Sequence, residues 1–120
     1  MDIIEFWNQQ LVRNIDVDEP EFERLYCRKG PMYLPFPGPE LVRITPLLQI
    51  ANLTAKKPQT GAFTRLIAKI ESAVKTNIFV ENVFNENFAA ALPRMGFIRL
   101  DLGSDCNATP CFLKLNNNDA

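Results

Sequence analysis

Asn85-Glu86-Asn87-Phe88-Ala89-Ala90-Ala91-Leu92-Pro93-Arg94-Met95-Gly96-Phe97 is the stretch whose reading decides the fold. Asn85 is of a type that starts helices, because its side-chain oxygen accepts an orphan backbone amide. Phe88, Leu92 and Met95 recur at the spacing of one helical face. Gly96 then ends the helix, since glycine enters the left-handed region without steric cost. Residues 97–102 and 111–115 read as two strands joined by a loop of Gly, Ser, Asp and Asn.

Working upstream, residues 78–83 are strand-like. Before them lies a helix with Phe63, Leu66, Ile67, Ile70 and Val74 on one face and Arg65, Lys69 and Lys75 off it. Lys56-Lys57-Pro58-Gln59-Thr60-Gly61 is a loop by composition. Residues 47–53 form an apolar run that reads as a buried strand. From Leu47 onward the order is strand, loop, helix, strand, helix, strand, strand. That alternation predicts a mixed sheet with helices packed on it.

The first 46 residues are organised differently. Asp2 is expected to cap a helix carrying Ile3, Ile4, Trp7, Leu11 and Ile15 at helical spacing. Asp18 and Glu21 resemble a reciprocal cap, and Pro20 sits where an early helical turn tolerates it. Phe22, Leu25 and Tyr26 would then be the buried side of a short second helix ending at Gly30. Pro31, Pro35, Pro37, Pro39 and Pro46 follow, and proline removes a ladder donor. Met32-Tyr33-Leu34 and Leu41-Val42-Arg43-Ile44 are therefore expected as edge strands around a Pro-Gly turn.

A length of 120 residues suggests one domain, here 1–115 with a solvated tail at 116–120. The formal net charge of -1 provides no field that would draw the whole molecule onto nucleic acid or an anionic membrane. Histidine is absent, which removes His ligation of metals, Ser-His-Asp triads and His bases. Cys27, Cys106 and Cys111 fit no zinc spacing. They are expected to be reduced thiols, with a Cys106–Cys111 bridge as the alternative. The first residues carry acids and no long apolar run, so a signal peptide or membrane span is not expected and the protein reads as cytoplasmic.

Chemistry concentrates at Gly61. The loop follows a strand and opens a helix whose first amides lack intrahelical partners and carry partial positive charge. Such a terminus suits a phosphate or pyrophosphate. Gly61 and Ala62 let a ligand approach the backbone, and Lys56 and Lys57 add charge.

The segment from Asn85 to Phe97 resembles the closing signature of the Gcn5-related N-acetyltransferases: a strand, an Asn, a helix, then a Gly-Phe pair opening the next strand. Gly61-Ala62-Phe63-Thr64-Arg65-Leu66-Ile67 is similar to that family's glycine-rich turn and following helix. The resemblance covers residues 47–115, an acyl-CoA-binding half, and leaves 1–46 as a divergent N-terminal half. It implies an α/β (α+β) domain with a mixed, mostly antiparallel central sheet flanked by helices. The implied cofactor is acetyl-CoA or CoA. Its pantetheine arm would pair with backbone at Leu53, Thr54 and Ala55, and its pyrophosphate would sit on the amides of Gln59, Thr60, Gly61, Ala62, Phe63 and Thr64. Asn85 would lie on the pantetheine side. The implied reaction is transfer of an acetyl group to an amine or protein acceptor.

The chain departs from the family at several positions. Pro58 stands where the turn's first polar residue is expected, with Gln59 beside it. Phe63 stands where a second Gly usually lies, and either crowds the pyrophosphate or packs inward as the first core residue of its helix. The position of the family's Tyr general acid is Leu92, and that of its Glu general base is Ala51. Glu81 and Tyr26 are the remaining catalytic candidates. Glu81 faces either the cleft or solvent, and Tyr26 either the core or the site. Cys27 has no His to activate it as a nucleophile. The competing expectation is an inactive member of the fold that serves as a protein-interaction module, presenting the Pro-rich segment with Tyr33 and Phe36. Its compact form would suit a phage or mobile-element protein binding a host factor. Trp7 reads as a core anchor or a dimer contact, and with an open sheet edge it makes a homodimer a reasonable expectation.

Overall fold

The computed structural model describes residues 1–9, 13–100 and 110–116. Its centre is a six-stranded sheet in the order β1-β2-β5-β6-β8-β7. The strands are β1 (Ile15–Asp16), β2 (Phe22–Lys29), β5 (Leu47–Ala55), β6 (Asn77–Val80), β7 (Ile98–Leu100) and β8 (Cys111–Lys114). Only β5 and β6 are parallel; the other neighbours run antiparallel. A separate two-stranded ribbon joins β3 (Met32–Pro35) to β4 (Leu41–Ile44). The fold is thus α+β with a mixed, mostly antiparallel sheet.

Strand alternation divides the apolar residues between two faces. Leu48 and Ile50 of β5 and Ile78 and Val80 of β6 turn to one side. They pack there against Ile3 and Phe6 of α1 (Ile3–Trp7) and Leu66, Ile67 and Ile70 of α2 (Ala62–Ala73). Leu47, Phe79 and Leu113 turn to the other side, where Leu34 and Ile44 of the ribbon cover them. α2 crosses from β5 to β6, which gives those strands their parallel sense.

Beyond β6, Asn85 caps α3 (Glu86–Ala91), its Oδ1 accepting the Phe88 amide at 3.0 Å. Pro93 allows only a 3-10 turn over Leu92–Met95 before Gly96 ends the segment at φ 91°. Leu92 is fully buried.

The N-terminal half departs from the sequence expectation. The first helix stops at Trp7, and Ile15 lies in β1 instead of on its face; Leu11 lies outside the described residues. The stretch with Phe22, Leu25 and Tyr26 is strand β2, not a helix. A register shift lies between Phe22 and Arg24, so Phe22 and Leu25 are buried three residues apart across an extra residue. A bulged strand with that spacing imitates one turn of helix. Residues 78–83 were expected as strand, but β6 ends at Val80 because Asn82 takes φ 60°. Cys106 lies outside the described residues, as does the bridge to Cys111.

Glu19 joins α1, α2 and the β1–β2 connection. It is buried, accepts the Ile3 amide at 2.9 Å, and receives the Lys69 ammonium at 3.0 and 3.1 Å. Lys69 also reaches Asp2 at 3.4 Å. The hydrogen bonds that Lys69 donates to Glu19 are the chief cause that raises its pKa, and the hydrogen bond from the Glu5 amide is the chief cause that lowers that of Asp2. Glu19→Ala would strand the Ile3 amide and leave Lys69 with only its longer contact to Asp2. The expected loss is about 2–3 kcal/mol of unfolding free energy in a urea melt, with an unchanged m-value.

Candidate functional site

The site begins where the parallel pair comes apart. β5 stays paired with β2 as far as Phe22↔Ala55, but with β6 only as far as Ile50↔Val80. One more bond follows, from the Glu81 amide to the Ile50 carbonyl at 3.0 Å. Register then steps from Cys27↔Ile50 to Tyr26↔Asn52, which makes Ala51 an extra residue on β5. Such a bulge bends its strand. On β6 the left-handed Asn82 turns the chain away, and its Nδ2 donates to the Ala51 carbonyl at 2.7 Å. The β6-side edge of β5 is left open from Asn52 to Ala55.

At the end of that open edge stands the loop of residues 56–61. Gln59 and Gly61 both have positive φ, 62° and 81°. The Thr60 hydroxyl donates to the Lys57 carbonyl at 2.7 Å and tightens the turn. α2 has no side-chain cap, and its first internal bond is Arg65 N–H to Gly61 C=O at 3.0 Å. The amides of Ala62, Phe63 and Thr64 therefore lack intrahelical partners.

A cavity of about 390 Å³ lies between these parts and α3. Leu53, Thr54 and Ala55 form its β5 wall, and Gln59, Gly61, Ala62, Phe63 and Thr64 its loop and α2 wall. Asn85 lines it from the start of α3. Of the residues expected at a cofactor, Thr60 alone is off the wall. Lys57 lines the cavity, but Lys56 lines a different hollow, beside Asp16, Asp18 and Glu23.

Phe63 packs inward. Its ring meets Phe88 edge-on at 4.8 Å and Phe97 at 6.0 Å. It thus joins α2 to α3 and forms an apolar floor with Phe88 and Met95. Phe22 adds a further apolar wall. Sequence reasoning did not place Phe22 here, because a helix over that stretch hides its position at the end of β5. Phe88 and Met95 carried only a core signal.

The two positions of the missing proton-transfer groups are separated. Ala51 is the bulge residue itself. Leu92 is sealed in the core beneath the 3-10 turn. Glu81 is half-buried where the strands part, and burial raises its carboxyl above the ordinary range. Alternation from Phe79 and Val80 puts it on the ribbon-side face of the sheet. Tyr26 is half-buried on β2 opposite Asn52, between the buried Leu25 and Cys27, and so turns to the same face. The Arg24 guanidinium lies 5.1 Å from its ring centroid. The two candidates thus flank β5 on the side away from α2. Burial, followed by the charges of Asp16 and Glu19, pushes the Cys27 thiol far above its usual range, which leaves it inert. Among the described residues no cluster suited to a metal ion is present, and no helix is long and apolar enough to cross a membrane.

No protein-family model, no curated protein and no solved structure matches the chain.

Glu81 gives a pH prediction. Its folded-state pKa lies above the ordinary 4.5, so the folded protein binds its proton more tightly than the unfolded chain does. That contribution is complete below the ordinary value and is lost as pH rises through the folded one. Glu81→Gln is expected to match wild type in urea stability near pH 4 and to exceed it at pH 7. A constant difference across that range would contradict a desolvated carboxyl.

Proposed function

We propose that the chain binds an acyl-CoA in the cavity between β5, α2 and α3, in the manner of a Gcn5-related N-acetyltransferase. The observation that carries this reading is the unpaired β6-side edge of β5, which leads straight to the open amides of α2. An extended ligand with alternating amides can pair with such an edge as a strand does. A pyrophosphate at its far end meets partial positive charge at Gly61 to Thr64 and the Lys57 ammonium. The succession β5, α2, β6, α3, β7 along the chain is the one on which the resemblance rests, and it supports the reading.

Acetyl transfer to an amine follows as the reaction. The amine nitrogen attacks the thioester carbonyl, the C–S bond breaks, and the thiolate takes up a proton. Positioning beside the bound thioester supplies most of the acceleration. Ala51 and Leu92 offer no proton transfer, a contribution of about 10²–10⁴-fold elsewhere. Glu81 and Tyr26, on the ribbon-side face, are the groups left: Glu81 to accept the amine's proton and Tyr26 to donate one to the thiolate.

A second reading rests on a different surface. Tyr33 and Leu41 of the ribbon are 65% and 67% exposed. They share one face of the ribbon, and exposed apolar side chains of this kind favour an interaction module, although Phe36, expected beside Tyr33, packs against the core instead.

Titration calorimetry with CoA and acetyl-CoA separates the two. Saturable binding with a micromolar dissociation constant is expected, followed by slow acetylation of simple amines. No heat at millimolar ligand would leave the interaction module. Gly61→Glu places a carboxylate against the phosphates, and its expected effect is loss of CoA binding by more than ~100-fold. Unchanged affinity would place the pyrophosphate elsewhere.

A further inference from the structure

The loop of residues 56–61 is held from outside by one residue of the N-terminal half. The backbone carbonyl of Glu21 accepts the Lys56 amide at 2.9 Å, at the loop's start. Its carboxylate receives Arg65 Nε at 2.9 Å and also Nη2, just past the loop's end. Glu21 thereby spans the loop and fixes the plane of the Arg65 guanidinium.

That plane leaves the third nitrogen aimed elsewhere. Arg65 Nη1 has no hydrogen-bond partner among the described residues. It lies 3.1 Å from the point a Cβ on Gly61 would occupy. Gly61 is part of the cavity wall. Arg65 is not itself part of the wall, but its guanidinium stands directly beside Gly61, the one wall residue without a side chain, with two N–H donors and a permanent charge. Arg65 carries no apolar spacing signal, and in the sequence it reads as a solvated position off the buried face of its helix.

We propose that Arg65 binds a phosphate oxygen of the ligand through Nη1, while Glu21 holds the guanidinium in place. The proposal rests on the acyl-CoA reading and adds to it a side chain that distinguishes phosphorylated ligands from pantetheine alone. A guanidinium forked onto a carboxylate on one edge keeps its remaining edge for a second anion. The backbone amides then cradle the phosphate and Arg65 supplies the full charge.

The test is calorimetry of the full chain with CoA and with pantetheine, which has no phosphate. Arg65→Gln is expected to weaken CoA about 10–100-fold and to leave pantetheine unchanged. It should also flatten the salt dependence of CoA binding. Arg65→Lys, which keeps the charge and loses the fork, should fall between the two, and it serves as the readout if the Gln variant fails to fold. Equal CoA affinity in wild type and both variants overturns the proposal. A proportional loss of CoA and pantetheine also overturns it, because Arg65 would then only brace the loop. If wild type itself binds no CoA, the acyl-CoA reading fails first, and the two failures are told apart by that measurement.

Discussion

The parallel ladder between β5 and β6 runs through four residue pairs and stops at Ile50↔Val80. Two local events end it: the extra residue at Ala51 bends β5, and the left-handed Asn82 turns the other chain aside. The Asn82 side chain then ties the fork shut at its root. An unpaired strand edge is costly in a dry interior, since its N–H and C=O groups lose water without gaining partners. Here the edge opens onto a cavity instead. The position of the cavity, its apolar floor and its end at the α2 amides all follow from where the two strands separate.

The N-terminal half joins that site through the β2–β5 ladder and a shared apolar core, and two charged contacts add to them. Glu19 fastens α1 to α2 through Lys69, and Glu21 fastens the entry of β2 to the start of α2 through Arg65. The two contacts differ in character. Glu19 is buried and leaves an orphan charge if broken, whereas Glu21 and Arg65 are exposed and screened by solvent. The hydrogen bonds from Arg65 lower the Glu21 carboxyl below its usual range, so that contact persists in mild acid and weakens as pH falls further.

The second half of the fold was legible because its signals are local. Asn85 caps its helix, Gly96 ends it, and the face of Leu66, Ile67 and Ile70 is buried as its period requires. The residues that the resemblance implies for a cofactor, Leu53 to Ala55, Gln59 to Thr64 and Asn85, all line the cavity except Thr60. The first half misled because a bulge at Glu23 gave strand residues the spacing of a helix, and because β1 gains its stability only by pairing with β2. Neither the Phe22 wall nor the Glu21–Arg65 contact has a local signature. Each depends on β2 lying beside β5, a pairing between distant parts of the chain that periodicity cannot report.

β2 and β5 are antiparallel neighbours, so a short hairpin turn could have joined them. The chain instead inserts the β3–β4 ribbon between them. Lengthening a connection carries little entropic penalty, about 0.6 kcal/mol per doubling. Shortening this one would be far harder. Leu34 and Ile44 are what shield Leu47, Phe79 and Leu113 from water, so the same segment is both connector and lid for the second face. Evolution can therefore vary the tip of the ribbon, around Gly38, and the outward positions of its strands, while the sheet-facing Leu34 and Ile44 are as constrained as any part of the core.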